Sequence, residues 1–543
     1  MTADSKTTEE RARESPEAVT AGDQNVFHEI LEKLPPWYTN PRLVRLYFFL
    51  VAPIVTSAAL GFDLSMTNGL QSVNIFMNNF GNPSGSTLGF YGASMSVGGF
   101  VACLIAGPLN ERFGRRLICS VGAAIVIGAT IMQTFAINFG MFTGGKMILG
   151  FGSNLQLLTA PVLVTELAHP MNRVFISSFY NTNIFIGLII GGWVTFGTYS
   201  MNSHWAWKLP CILQVVIPSY QVFMLWLCPE SPRWLVTKGR IAEAREILIR
   251  YHSSIQGVED EVVKTELQEI VTGIEMDKTQ LKLNKDGFKS VLLSKGNRHR
   301  LWIGFWTAVG SQCGGGTFIA SYLPQIMDQI GMTSQHDKTL INAIMSICNW
   351  VTTIIGIMII PHVKRRSMFL YSTITMTIAF IVWTALAATY IKDPQRGYGL
   401  GVLAMMFLFN ACQTVCWIPL VVAYPLEIVT TKQRTIFFSF TMFSMNMASF
   451  IAQYINPIGL EALSWRWYII QIVFNSCLTV IIYFTWVETR GLTLEEVAVI
   501  FDGTESFDAA KAAAGKRLDA EDADVVKADD EKNSVVTRVN EKA

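Results

Sequence analysis

The chain is poor in charge for its length. Asp, Glu, Lys and Arg make up 15% of its 543 residues, against 51% hydrophobic residues. A soluble chain this long would divide into several domains with charged surfaces, so the composition argues against one. Cysteine patterning is also missing. The nine cysteines, among them Cys103, Cys211, Cys313, Cys348 and Cys477, are scattered through apolar stretches with neither disulfide-framework nor zinc spacing. The seven histidines are equally dispersed, so no structural metal is expected. Residues 1–40 hold Glu9, Glu10, Arg11, Arg13 and Glu14, an amphipathic-looking Val26–Leu34 and Pro35–Pro36, without the apolar core of a signal peptide. The net charge is +1, and no continuous basic face of the kind nucleic acid requires is legible. No nucleotide-binding motif or enzyme constellation is evident, so neither catalysis nor a cofactor is expected.

Long apolar stretches rich in Phe, Met, Ile and Gly fill the space between the few charged segments. A bilayer needs about 20 apolar residues per helical crossing. Windows that meet this demand fall at 46–70, 86–109, 117–136, 144–167, 176–197 and 208–228. A second set falls at 301–329, 340–360, 368–389, 398–424, 436–458 and 465–486. Continuous apolar runs predict helices, because open strands would leave backbone groups unpaired in hydrocarbon, and a β-barrel needs short alternating segments. The expected fold is an all-α polytopic membrane protein of twelve transmembrane helices in two six-helix halves.

Charge sets the expected orientation. The loops near 110–116, 168–173, 362–366 and 430–434 carry most of the short-loop Lys and Arg, whereas those near 72–84, 137–143 and 198–204 carry none. The positive-inside rule then puts both termini in the cytoplasm, with Lys338, Lys392 and Arg396 as exceptions outside. The predicted organisation is a cytoplasmic tail over 1–45, a six-helix half over 46–228, a cytoplasmic linker over 229–300, a second half over 301–486 and a cytoplasmic tail over 487–543. Within the linker, Ile241–Tyr251 and Val258–Thr272 read as short helices packed below the bundle.

The densest local signal is Gly107-Pro108-Leu109-Asn110-Glu111-Arg112-Phe113-Gly114-Arg115-Arg116. Its acid and arginines can form a charge network at a helix terminus whose rearrangement biases a conformational equilibrium, or they can simply hold the loop inside. A related element, Pro361-His362-Val363-Lys364-Arg365-Arg366, follows the eighth span. Corresponding elements in two six-span halves suggest internal duplication, a common plan for alternating-access transporters.

These segments resemble the major facilitator superfamily and, within it, the sugar porter family. The first loop is similar to the G-x-x-x-D-R-x-G-R-R pattern, with Glu111 as the acid. Pro229-Glu230-Ser231-Pro232-Arg233-Trp234-Leu235 reproduces the PESPRWL motif after the sixth span. Glu488-Thr489-Arg490-Gly491-Leu492-Thr493-Leu494-Glu495-Glu496 resembles the terminal PETKG-LTLEE motif, with Val487 for its proline. Gly61-Phe62-Asp63-Leu64-Ser65-Met66-Thr67-Asn68-Gly69-Leu70 and Tyr424-Pro425-Leu426-Glu427 resemble the fungal lactose- and cellodextrin-permease-like branch. The resemblance spans about Gly61 to Phe501.

The resemblance implies a multi-pass transporter, in the plasma membrane, for a sugar or related polyhydroxylated cargo, with a proton as co-substrate and lipid around the bundle. It implies gating roles for Glu111, Arg112, Arg115, Arg116, Glu166, Arg173, Glu230, Arg233, Arg365, Arg366, Glu427, Arg434 and Glu488. Asp63 is physically conspicuous, because an ionised carboxylate at membrane depth must be protonated or paired. Family correspondence makes Lys146 its partner, either for proton coupling or as a structural pair. By the same correspondence Asn181, Gln312, Thr317, Tyr322, Trp417 and Asn446 are the candidate cargo contacts, since amides, hydroxyls and aromatic faces suit a sugar. Each could equally pack the helices. Ser311-Gln312-Cys313-Gly314-Gly315-Gly316-Thr317 departs from the family's QQ-x-S-G-x-N, and its three glycines remove side-chain volume, which either enlarges the cavity for a disaccharide or another polyhydroxylated cargo or marks loss of hexose binding. The expected function is sugar–proton symport. Alternatives are a proton-independent facilitator, a carrier of quinate, a polyol or a secondary metabolite, and a nontransporting nutrient receptor.

Overall fold

The computed structural model describes residues 37–253, 261–283, 295–360, 362–429, 434–490, 497, 500 and 501. Among them the chain is helical throughout, without strands. Six long helices form the first half: α1 (Pro41–Leu70), α2 (Gly85–Phe113), α3 (Arg115–Thr134), α4 (Phe139–Leu167), α5 (Arg173–Thr198) and α6 (Trp205–Leu227). Six more follow: α7 in two pieces (Lys295–Cys313 and Gly316–Gln329), α8 (Gln335–Ile359), α9 (Arg365–Lys392), α10 (Arg396–Glu427), α11 (Arg434–Leu463) and α12 (Trp467–Thr485). Nine stretches of the described chain are long and apolar enough to cross a membrane. The last of them, Phe437–Thr485, runs through both α11 and α12.

The two halves repeat one packing plan. In the first, α1 lies on α5, α2 on α4, and α3 on both α4 and α6. In the second, α7 lies on α11, α8 on α10, and α9 on both α10 and α12. The halves meet through α2 against α11 and α5 against α8, two contacts that a twofold exchange of the halves would interconvert.

Missing side chains make these close crossings possible. A Cβ on Gly61 would strike the Ile184 carbonyl and one on Gly187 the Ala58 carbonyl, so the backbones of α1 and α5 touch. Gly98 against Met147 and Gly150 against Met95 do the same for α2 and α4, and Gly356 against Val415 for α8 and α10. Small residues at such crossings are what packing in lipid selects, because no hydrophobic drive separates helix from solvent there. The outward surface is apolar instead. Leu104, Phe223, Met358 and Phe484 are each at least two-thirds exposed, as a bilayer-facing belt requires.

Helix ends depart from the hydropathy windows where charge misleads. α1 starts at Pro41 rather than 46, because Asn40 caps it by accepting from Arg42 N at 3.1 Å and Pro41 occupies the first turn. Arg42 and Arg45 thus lie inside a helix whose first turn projects beyond the apolar window. α7 likewise starts at Lys295 rather than 301. Between the halves lie Pro232–Thr237, Ile241–Tyr251 and a longer Glu261–Leu283, packed through Leu235, Val236, Ala244, Leu248, Val263 and Ile270. The expected start of the third helix at Val258 lies outside the described residues, as do Val26–Leu34 and most of the last tail.

The glycines of α7 do not open a cavity. Gly315, at φ +113°, breaks the helix, and a Cβ there would meet the rings of Phe380 and Phe409. The space beside Gly316 is taken by the Gln413 amide, which also donates to Ser311 O at 3.3 Å. The expected volume is therefore filled by side chains of α9 and α10, and the glycines serve to let those side chains reach a break in the backbone.

Candidate functional site

One end of the bundle, the arginine end, carries two copies of one charge network. In the first half Glu230 sits at the start of α3, accepting from Arg115 N and Arg116 N at 3.1 Å each and from Ser231 N at 3.0 Å. A carboxylate suits a helix N-terminus. Gly114, at φ +93°, permits its approach, because a Cβ would run into the Glu230 carboxylate. Arg115 Nε pairs with Glu166 at 3.3 Å, the Ser231 hydroxyl donates to Glu166, and an Arg116 guanidinium N–H donates to Trp226 O at 2.9 Å. Burial pushes the Glu230 carboxyl above its ordinary pKa, opposed by those three backbone N–H groups and by Arg115.

The second half repeats these contacts, with Lys364 in extended backbone where the first has Gly114. Glu488 accepts from Arg365 N at 2.8 Å and Arg366 N at 3.2 Å, and Arg365 Nε pairs with Glu427 at 3.4 Å. Thr489 takes the part of Ser231, donating to Glu427 at 2.6 Å, and Arg366 donates to Tyr483 O. The sequence motifs now have physical reasons. In PESPRWL, Glu230 caps α3, Ser231 caps the next helix by accepting from Trp234 N at 3.3 Å, and Pro232 fills its first position. Trp234 Nε1 donates to Glu111 O at 2.9 Å.

Not every expected gating residue joins these networks. Glu111, Arg112 and Arg233 are exposed; Arg112 lies over the Phe113 ring at 5.3 Å, and Glu111 takes part through its carbonyl. The side chains of Arg173 and Arg434 lie outside the described ones. Each network also joins helices of one half.

At the opposite end, neutral amides tie the halves together. Asn68 Nδ2 donates to Asn342 Oδ1 at 2.9 Å, Gln71 Nε2 to Ser321 O at 3.0 Å and Gln325 Nε2 to Gln71 Oε1 at 2.8 Å. Tyr322 is buried here, donating to Gln453 O at 2.5 Å with its hydroxyl against Gly92 of α2. Tyr322 thus helps to close this end, and no contact with an open cavity is needed to explain it. Lys338, an exception to the charge rule, pairs with Asp328 of α7 at 2.5 Å.

Between the two ends lie the other candidates. Asp63 of α1 and Lys146 of α4 are each only 5% exposed and near enough to interact electrostatically. Among the described residues, however, no contact ion pair joins them. The Asp63 carboxylate accepts from Gln214 Nε2, and Lys146 Nζ stands 3.9 Å from the centre of the Tyr91 ring. Gln214 lies at the break between the two pieces of α6, Trp205–Leu213 and Val216–Leu227. Motif reading missed both holders, since neither belongs to a charged segment.

In the second half Gln312 is partly exposed, and its Oε1 accepts from Thr317 Oγ1 at 2.9 Å across the α7 break. Asn446 of α11 meets α2 across the halves, donating to Cys103 Sγ at 3.4 Å. Gly99 leaves room for it beside Asn154. Trp417 is a correction: it is 1% exposed and packed edge-on to Phe369 at 5.0 Å, also touching Gly310, so it is a core residue in this conformation. Asn181 falls on α5, with its side chain outside the described ones.

The profile of the sugar (and other) transporter family matches residues 49–501. The chain belongs to that family. Members are membrane transporters, not enzymes, and the bundle is accordingly multi-pass. This transporter is 27% identical over 457 residues to the MFS-type transporter criB of Aspergillus cristatus, covering 83% of this chain and 93% of that one. It is 25% identical over 479 residues to the H(+)/hexose cotransporter 2 of Parachlorella kessleri, covering 84% and 86%. Its fold is that of the major facilitators: the inward-open xylose transporter XylE of E. coli superposes with a TM-score of 0.68 at 20% identity, covering 84% of this chain and all of that one.

Proposed function

We propose that this transporter moves a sugar, of hexose or disaccharide size, inward across the plasma membrane together with a proton. The observation that carries the reading is the buried Asp63 beside Lys146 in a bundle whose halves are joined by hydrogen bonds at the amide end. An acid at that depth alternates between a protonated and a paired state, which is what coupling needs. The similar hexose cotransporter supports it, as does the positive-inside bias, which favours a cytoplasmic arginine end.

In this reading the described conformation faces inward. Amide–amide contacts seal the outside, and they exchange for water at little net cost, as a reversible gate should. The arginine networks hold each half as a rigid body while the halves rock. Gln312 and Thr317 present polar groups to the cargo, and linkage makes proton and cargo strengthen one another's binding.

The reading is tested by tracer counterflow in proteoliposomes with a panel of D-glucose, D-xylose, lactose, cellobiose, inositol and quinate. Exchange of at least one of the four sugars is expected, and exchange of inositol or quinate alone would overturn the sugar assignment. For the accepted sugar, Gln312→Ala is expected to raise the half-saturation concentration about tenfold, the worth of roughly one good hydrogen bond. An unchanged half-saturation value would make Gln312 a structural residue.

A further inference from the structure

The two buried charges are each held by a neutral group rather than by one another. Lys146 is buried, and a bare ammonium in such a site is costly unless something replaces its water. The face of Tyr91, 3.9 Å from Nζ, is that replacement. Its ring is not free to follow the lysine. Phe139 and Phe142 of α4 flank it at 5.5 and 5.8 Å between ring centres, and Phe142 in turn packs on Phe76 and Trp207. The carboxylate has its own fixed donor in Gln214. Among the described residues, the titratable groups sharing this pocket are Asp63 on α1, Tyr91 on α2, Lys146 on α4, Cys211 on α6 and Tyr322 on α7.

We propose that Tyr91 is a positioning residue of the coupling step: its rigid ring face holds the Lys146 ammonium off Asp63 in the conformation sealed at the amide end. This rests on the proton-coupling role of Asp63. Holding the ammonium away leaves the carboxylate to its Gln214 donor and to a proton. Swinging of the Lys146 side chain off this fixed ring would release the cation towards Asp63 without moving α2 against α4. A ring without a hydroxyl should serve as well, whereas an aliphatic side chain of similar bulk should not.

A double-mutant cycle tests the contact directly, using melting of the purified full chain in detergent for Tyr91→Leu, Lys146→Met and the double variant. Each single variant is expected to melt lower, and the double well above the sum of the two losses, corresponding to a coupling of about tenfold in the folded-to-unfolded ratio. Tyr91→Phe should retain most of the wild-type value. Additive losses, or a Phe variant as damaged as the Leu variant, would overturn the proposal.

A second arm uses tracer D-glucose in proteoliposomes. Tyr91→Leu is expected to lose about tenfold in proton-driven accumulation while keeping equilibrium exchange, and Tyr91→Phe to keep both. A merely structural tyrosine would lower both together, and that result also overturns the proposal. Wild-type protein that does not carry D-glucose would refute that cargo, and the melting cycle would then decide the role of Tyr91 alone.

Discussion

Asp63→Asn is expected to abolish uphill transport while leaving downhill exchange. With one proton per cargo molecule, as proposed, the wild type would concentrate cargo about tenfold for each unit of pH difference, since one unit is worth about 1.4 kcal/mol. The variant should reach an inside-to-outside ratio of about one. Asparagine retains Oδ1, so the donation from Gln214 Nε2 survives and the pocket keeps its shape. What disappears is the titratable group, leaving Lys146 on the Tyr91 face. Leu64→Ala and Ser65→Ala are neighbouring changes that remove no titratable group. Normal accumulation by Asp63→Asn, with normal proton influx, would remove Asp63 from the coupling step.

Gly150→Leu is expected to prevent the first half from folding. A Cβ at Gly150 already overlaps the backbone of Met95, and a Cβ at Gly98 overlaps that of Met147, so α2 and α4 touch main chain to main chain. A leucine must push the helices apart, and it would carry Lys146 of α4 away from Tyr91 of α2 as well. Overpacking of this kind costs about 3 kcal/mol or more when backbone, rather than a flexible side chain, is in the way. Gly128→Leu on α3 is the control. A Cβ there meets nothing within 4 Å, and the residue is exposed on the apolar surface. Size-exclusion profiles and melting in detergent should show loss of the monodisperse protein for Gly150→Leu and a near-normal profile for Gly128→Leu. Equal behaviour of the two would show that the crossing is looser than the backbone contact implies.

The spans and the paired charge networks were legible in the sequence because their signals are local. Twenty apolar residues in a row mark a helix wherever it packs, and an arginine pair after a span marks a loop. The sequence motifs did not show which charges meet: Arg115 and Arg365 enter the networks, while Glu111, Arg112 and Arg233 stay on the surface. That distinction depends on helix rotation, which charge alone does not encode. Gln214 was illegible for a related reason. A glutamine in an apolar helix needs some partner, but the partner here lies 151 residues earlier in the chain. The α7 glycines misled because removed volume predicts a cavity only when no neighbour fills it, and Phe380, Phe409 and Gln413 arrive from other helices. Trp417 is ambiguous in the same way, since an indole suits a sugar face and a helix core equally, and in this conformation it packs on Phe369.

The central claim is that this bundle couples inward sugar movement to a proton. The most direct measurement reconstitutes the full chain in proteoliposomes, imposes an acid-outside pH difference, and records tracer sugar and internal pH together for the sugar accepted in counterflow. The expected result is accumulation of about tenfold per pH unit, with proton influx that starts on addition of sugar and is absent without it. Equilibration of the sugar to a ratio of one, with no sugar-dependent proton influx under the same gradient, would contradict the account and make the protein a facilitator.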